Sequence, residues 1–196
     1  MSGLVLGGRR RPVIGVMGSG RDRHDLVAGP VGAWIAGQGF HLLTGGGGGV
    51  MEAVGEAFAA VPDREGLVIG VLPSSDGDPR RGQPSGYPNR WVELAIRTHL
   101  PLSGARGGAP LSRNHINVLT ADVVVALPGG LGTSSEVRLA IAYDRPCVAM
   151  VNDRAEIPDL PDAVPSVPTL AEMAAFVLDQ VGATPVGGTD GTRDTA

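Results

Sequence analysis

The sequence predicts one Rossmann-like α/β domain whose doubly wound, mainly parallel sheet is flanked by helices. Strand-like apolar runs alternate with helix-like patterns from one end of the chain to the other, the order that favours parallel strands joined by crossover helices. Two of the strand-to-helix turns, residues 45–49 and 129–132, are rich in glycine. The chain has 196 residues, of which 42% are hydrophobic, enough for one sizeable core but few for two.

The strands are predicted from short runs of aliphatic and β-branched residues, at 13–17, 40–43, 67–72, 92–98, 122–127 and 147–151. The run at 122–127 is the most strand-like, because β-branched residues dominate it and a turn follows at once. We therefore expect a central strand there. Cys147, the single cysteine, lies in an apolar setting and should be a buried strand residue.

The helices are predicted from apolar side chains that recur at helical spacing. The first should begin late, since Pro30 is tolerable only near a first turn, and should stop at 37–39. The others are predicted after the glycines at 45–49, from a Ser112 cap to about Thr120, from Thr133 onward, and over Leu170–Val181.

Composition also divides the chain. Residues 1–11 are expected to be a flexible N-terminus, 12–182 the nucleotide-binding domain, and 183–196 a disordered tail that is too rich in Gly, Thr, Pro and Asp to bury much. Residues 73–90 are polar and rich in proline and glycine, which predicts a long surface loop. Such loops often cover binding sites.

Charge and residue usage exclude several classes of protein. The formal charge of −4 offers no broad cationic field for nucleic acid. All 16 basic residues are arginine, and without lysine the chain can form neither the Schiff base of a pyridoxal phosphate enzyme, such as a lysine decarboxylase, nor a P-loop. No apolar stretch approaches the ~18 residues of a membrane span, and the four histidines and one cysteine lack metal-ligand spacing. We expect a cytoplasmic protein that uses no metal or other cofactor.

The two glycine-rich turns predict an anion site. Both follow strands and precede helices, where backbone N–H groups converge on a helix N-terminus that carries about +0.5 charge, and ligands of open α/β sheets bind at such ends. The alternative is that glycine merely permits tight turns. Five glycines in a row are hard to explain in that way, because each increases the entropy lost on folding. Neither cluster completes the G-x-G-x-x-G/A of a dinucleotide site, which argues against NAD.

Two charged residues near these turns have structural as well as functional interpretations. Residues 133–136 match the T-x-x-E capping box, in which Glu136 would cap the helix N-terminus. A carboxylate one turn into a helix, behind a phosphate-binding turn, could instead face the sugar of a bound nucleotide. Arg113 could pair with a carboxylate on a neighbouring helix.

Residues 45–51, GGGGGVM, and 128–136, PGGLGTSSE, together resemble the LOG-like family. That family shows a GGG-x-x-(L/V)M element and a PGGxGTxxE signature, and the resemblance spans about residues 13–151. It includes cytokinin nucleotide phosphoribohydrolases, molybdenum cofactor carrier proteins and many chains mislabelled lysine decarboxylases. In its hydrolases a catalytic arginine precedes the catalytic glutamate of the signature. Arg113 and Glu136 stand at the matching positions, in the register of the family.

The resemblance implies a homodimer that hydrolyses the N-glycosidic bond of a nucleoside 5′-monophosphate, such as AMP, to free base and ribose 5-phosphate. Arg113-Asn114 departs from the Arg-Lys of the hydrolases and looks more like the branch that holds the carriers. The alternative is therefore a carrier that binds a phosphorylated pterin without chemistry. Arg113 and Glu136 are the predicted catalytic residues. The predicted phosphate- or nucleotide-binding residues are Gly18, Ser19, Gly46, Gly47, Gly48, Gly49, Met51, Asn114, Pro128, Gly129, Gly130, Gly132 and Thr133.

Overall fold

The computed structural model describes residues 10–182 except 77, 79 and 81. Within these residues one sheet contains β1 Val13–Met17, β2 His41–Thr44, β3 Val68–Leu72, β4 Leu94–Arg97, β5 Val123–Ala126, β6 Cys147–Met150 and β7 Ser166–Val167. The helices are α1 Asp25–Gly37, α2 Val50–Ala59, α3 Asn114–Thr120, α4 Leu131–Ala142 and α5 Leu170–Val181. The predicted α/β class is confirmed. The predicted C-terminal tail and most of the predicted flexible N-terminus lie outside the described residues.

All strands of the sheet are parallel, in the order β4-β3-β2-β1-β5-β6-β7. The chain builds outward from β1 to β4 on one side, then returns to the other side of β1 and builds outward again from β5. The direction of winding therefore changes between β1 and β5. In open α/β sheets such a switch point leaves a crevice at the carboxyl ends of the two strands, where ligands bind.

Two apolar layers cover the sheet. One face packs against α1, α2 and α5 through side chains such as Ile35, Phe58 and Met173. The other face packs against α3 and α4 through side chains such as Val118 and Val137. Each of β1, β5 and β6 contributes alternate residues to the two layers and is buried along its whole length, as is typical of a parallel sheet covered on both faces. Cys147 is buried, as predicted.

The prediction that α1 starts late is wrong, because the helix begins at Asp25 and includes Pro30 as its sixth residue. Pro30 lies on the exposed side, while Val31 and Ile35 pack into the core. α1 also lies backbone to backbone against α2, since a Cβ at Gly32 would overlap the carbonyl of Val54. Tertiary packing therefore outweighs the hydrogen bond that proline removes.

Two other helix starts differ from their predicted positions. α4 begins at Leu131, two residues before Thr133, with Gly130 as its N-cap. α3 has Arg113 rather than Ser112 as its N-cap, although the Ser112 hydroxyl accepts a hydrogen bond from the Asn114 N–H at 3.1 Å. The two-residue strand β7 was not predicted, because so short a segment carries no pattern. Among the described residues, none of the helices has the length and apolar character that crossing a membrane requires.

Candidate functional site

A cleft with two adjoining parts lies at the switch point. Its inner chamber, of about 190 Å³, is lined by Val16, Met17, Gly18, Gly20, Gly45, Met51, Tyr87, Ser103, Gly104, Arg113, Asn114, Gly132, Thr133 and Glu136. Its outer chamber, of about 930 Å³, is lined by Gly18, Ser19, Gly20, Arg21, Asp22, His24, Tyr87, Ser103, Gly104, Ala105, Gly129, Gly130, Leu131, Gly132 and Thr133. Gly132 and Thr133 line both chambers, so the first turn of α4 lies at their junction.

The turn after β1 links the other two turns of the site. The Ser19 N–H donates to the carbonyl of Pro128 at 3.0 Å, and the Ser19 carbonyl accepts from the N–H of Val50 at 2.8 Å. The Ser19 hydroxyl accepts from the N–H of Asp22 at 2.9 Å. Because its amide and hydroxyl both have protein partners, Ser19 fixes the geometry of the cleft and has no amide left for an anion.

The glycine run at 45–49 is closely packed rather than open. A Cβ at Gly45 would overlap the guanidinium of Arg113, and one at Gly47 would lie 2.7 Å from the ring of Tyr87. Gly49 has a φ of 64°, and a side chain there would overlap the carbonyl of Ser19. The run therefore lacks side chains chiefly because other groups of the site occupy their space. Gly48 is the exception, since a Cβ there would make only an ordinary contact of 3.6 Å with Gly20.

The first turn of α4 presents hydrogen-bond donors to the junction of the chambers. The backbone N–H groups of residues 130–133 have no hydrogen-bond acceptor among the described residues, as expected at a helix N-terminus. The Thr133 hydroxyl oxygen is buried and also lacks a partner there. A Cβ at Gly129 would overlap this hydroxyl, so glycine at that position makes room for it. Free amides, a free hydroxyl and the helix dipole together form a site for an anion.

Arg113 reaches the inner chamber from the N-cap of α3. It is 4% exposed, and its Nη1 donates to the carbonyl of Val71 at 2.6 Å. Its Nε has no hydrogen-bond partner among the described residues, and no carboxylate there lies within 4.0 Å of the guanidinium. The alternative of an ion pair with a neighbouring helix is therefore wrong. Burial lowers the pKa of Arg113, while Glu136 and Tyr87 act in the opposite direction.

Glu136 points into the inner chamber and does not cap its helix. The N-cap of α4 is Gly130 and no side chain caps it, so the capping-box interpretation is wrong. The Glu136 carboxylate accepts one hydrogen bond, from Asn117 Nδ2 at 3.4 Å. Burial raises the pKa of Glu136 to about 7, although Arg113 and Asn117 both favour the charged form. A buried carboxyl that titrates near neutrality, in a cleft, is typical of a functional site.

The structure brings together most of the predicted site residues. The two predicted catalytic residues line the inner chamber, as do Gly18, Met51, Asn114, Gly132 and Thr133. Ser19, Gly129 and Gly130 line the outer chamber. The remaining predicted residues line neither chamber, namely Gly46, Gly47, Gly48, Gly49 and Pro128.

Sequence reasoning did not single out Tyr87 and Asn117. Tyr87 comes from the loop predicted at 73–90 and lines both chambers. Asn117 is fully buried one helical turn after Arg113, and its Oδ1 has no partner among the described residues. The available sequence signal was the spacing, since an asparagine four residues after Arg113 lies on the same side of the predicted helix.

The inner chamber therefore combines one cation and one titratable carboxyl with the α4 N-terminus at its entrance. Such a set can bind a phosphate and act on a group held deeper in the chamber by electrostatic or acid–base chemistry. In the part of the chain that the structure describes, no three His, Cys, Asp or Glu side chains are grouped so that they could hold a metal ion.

Comparison with known proteins identifies the family. Residues 11–174 match the model of the SLOG cluster4 family. A molybdenum cofactor binding protein from Rippkaea orientalis is 34% identical, with a TM-score of 0.67 over 89% of this chain and 99% of that one. The molybdenum cofactor carrier protein of Chlamydomonas reinhardtii is 30% identical, with a TM-score of 0.66 over 88% and 99%. An uncharacterised protein of Archaeoglobus fulgidus is 32% identical over 65% of this chain and 72% of its own length. The chain therefore belongs to the SLOG cluster4 family, which confirms the LOG-like resemblance of its two glycine-rich turns.

Proposed function

We propose that this protein binds a nucleoside 5′-monophosphate and hydrolyses its N-glycosidic bond. The observation that carries the proposal is the arrangement of the inner chamber. A buried carboxyl with one weak hydrogen bond, Glu136, lies beyond a helix N-terminus whose donors have no acceptor among the described residues. A phosphate bound by residues 130–133 would extend its sugar toward Glu136.

The reaction follows from these groups. The bond between C1′ and the base nitrogen breaks, its electron pair leaves with the base, and positive charge develops on the sugar. Ionised Glu136 would stabilise that charge or orient the attacking water, whose oxygen bonds to C1′. The water loses one proton and the departing base takes up one, so the products are free base and ribose 5-phosphate. Arg113, which is cationic and lies in the same chamber, would orient the substrate and stabilise negative charge on the departing base.

A second candidate is a carrier that binds a phosphorylated pterin, such as molybdenum cofactor, at the same turn without chemistry. Its support is the 34% and 30% identity to proteins described as binding or carrying that cofactor, together with Asn114 after Arg113. Both candidates include a homodimer, as the LOG-like resemblance implies.

Replacing Thr133 by valine tests the phosphate site that both candidates share. The variant keeps the shape of the side chain and removes its hydroxyl, so the affinity for AMP should fall roughly tenfold, the loss of one hydrogen bond to a charged group. The unliganded protein should be as stable as the wild type or more stable, because the Thr133 hydroxyl is buried without a partner among the described residues.

Calorimetric titration with AMP and thermal melts measure the two effects. Ser134→Ala is the matched control, since it removes a buried hydroxyl from the same turn of α4 but lines neither chamber. Wild-type affinity in Thr133→Val would show that the Thr133 hydroxyl does not contact the phosphate.

A further inference from the structure

Asn89, in the loop that follows β3, hydrogen-bonds to the glycine run at 45–49. The Asn89 N–H donates to the carbonyl of Gly46 at 2.8 Å, and its side-chain Nδ2 donates to the carbonyl of Gly47 at 2.7 Å. Asn89 is buried, and its Oδ1 accepts from the N–H of Trp91 at 3.0 Å. This end of the loop is therefore held against the turn after β2.

These hydrogen bonds place Tyr87 over the glycine run, two residues before Asn89. Its ring and hydroxyl lie where a side chain at Gly47 would extend, at 2.7–2.8 Å from an added Cβ. Tyr87 lines both chambers and is the one benzene-ring side chain among their lining residues. The Tyr87 ring therefore packs against the glycine run and forms part of the lining of both chambers.

The neighbouring group is the guanidinium of Arg113. Its Cζ lies 5.7 Å from the centre of the Tyr87 ring, within the range of a cation–π contact. On the other side, the guanidinium fills the space that a Cβ at Gly45 would need. The hydrogen bond from Nη1 to Val71 fixes one end of the group, and Nε makes no hydrogen bond within the described chain. Tyr87 is therefore the side chain that can fix the orientation of the guanidinium plane, through its ring and through its hydroxyl, which favours the charged form of Arg113.

We propose that Tyr87 is a positioning residue whose ring holds the guanidinium of Arg113 toward Glu136 in the inner chamber. The glycines at 45 and 47 contribute to this arrangement, because the first leaves room for Arg113 and the second for Tyr87. Tyr87 need not touch the substrate for this role. The kinetic readout of this inference rests on the proposed hydrolysis, whereas the titration readout does not.

The test compares Tyr87→Leu, which removes the ring, with Tyr87→Phe, which keeps it. The first readout is the pH titration of the Glu136 side-chain carboxyl by ¹³C NMR, with its signal assigned by its absence in Glu136→Gln. Arg113 is the charged group that acts on Glu136, and Asn117 is its hydrogen-bond donor. A guanidinium released by Tyr87→Leu should stabilise the carboxylate less, so the Glu136 titration should move to higher pH. Tyr87→Phe keeps the ring and loses only the hydroxyl, so its titration should shift less than that of Tyr87→Leu.

The second readout is the release of ribose 5-phosphate from AMP. In Tyr87→Leu, kcat should fall about 5- to 10-fold with KM changed less than about threefold, because an oriented cation acts mainly in the transition state. Tyr87→Phe should retain at least about half of the wild-type kcat. Tyr143→Leu is the control, since it removes the other tyrosine, which lines neither chamber.

An unchanged Glu136 titration in Tyr87→Leu would overturn the proposal, whether or not the wild type is an enzyme. A Tyr87→Phe variant whose titration and kcat change as much as those of Tyr87→Leu would also overturn the proposal, because the ring would then not be what holds Arg113. If the Glu136 titration shifts in Tyr87→Leu although the wild-type protein shows no turnover, the role of Tyr87 is supported and hydrolysis is contradicted. Should Tyr87→Leu not fold, Tyr87→Met replaces it and the same outcomes apply.

Discussion

Replacement of Glu136 by glutamine should lower the turnover of the best nucleoside monophosphate by about 10²- to 10⁴-fold, the range expected of a positioned catalytic group. Glutamine has nearly the same shape and can still accept the hydrogen bond from Asn117. The change removes the negative charge, which is needed as the sugar becomes cationic. The affinity for the intact nucleotide should change little, because that charge acts mainly in the transition state.

The pH dependence of the wild type provides an internal check on this assignment. Since the pKa of Glu136 is about 7, kcat/KM should rise from pH 5 to 8 as the carboxyl ionises and should level off above that range. Ribose 5-phosphate release measures turnover, and calorimetric titration with AMP measures affinity. A well-folded Glu136→Gln protein with wild-type turnover would remove Glu136 from the mechanism.

The second large effect is on stability and is independent of any enzymatic activity. The pKa of Glu136 is about 7 in the fold against an ordinary value of 4.5. The neutral carboxyl is therefore favoured by folding. This stabilisation is fully present below pH 4.5 and is lost as the pH rises through 7. At about 1.4 kcal/mol per unit of pKa, the loss amounts to roughly 3 kcal/mol.

Glutamine is uncharged at every pH and cannot show this loss. The difference in the free energy of unfolding between Glu136→Gln and the wild type should therefore increase by roughly 3 kcal/mol in favour of the variant between pH 4.5 and 8. Urea unfolding of the unliganded proteins at several pH values measures it. Glu56→Gln on the exposed side of α2 is the control; it loses only an exposed ion pair with Arg23, so its change with pH should stay below about 1 kcal/mol. A difference that does not vary with pH would mean that Glu136 is not desolvated in the folded protein.

The stability of Glu136→Gln decides how its loss of turnover is interpreted. At the pH where turnover is lost, Glu136→Gln should be at least as stable as the wild type, so the loss cannot be attributed to unfolding. A structural role of Glu136 would give the opposite result, with lower stability and turnover lost in proportion.

Most of the sheet could be predicted from sequence, because each main strand is a short aliphatic run enclosed by turn residues. β5 illustrates this, with three valines before a Pro-Gly-Gly turn. Positions that depend on tertiary contacts could not be predicted in this way. Pro30 is accepted within α1 because the buried face of that helix packs closely against α2, and no local rule for proline contains that information.

Part of the candidate site could be predicted from sequence as well. Arg113, Glu136 and the α4 turn follow from motif and register, and they line one cleft. The glycine run was predicted as an anion cradle, whereas most of its glycines make room for Arg113, Tyr87 and Ser19. The sequence contains no sign of this, because the residues that fill those spaces are up to 68 positions away, as Arg113 is from Gly45. Tyr87 was missed for the same reason, since its loop has no periodic pattern.

The proposed function requires that the inner chamber cleaves a bond rather than only holding a ligand. Incubation of the purified wild-type protein with a panel of nucleoside 5′-monophosphates, followed by an assay for ribose 5-phosphate and free base, tests it most directly. We expect both products in equal amounts from at least one nucleotide, above a blank that contains Glu136→Gln. Absence of both products across the whole panel, from a protein that binds a phosphorylated pterin and loses that binding in Thr133→Val, would contradict the claim and identify the protein as a carrier.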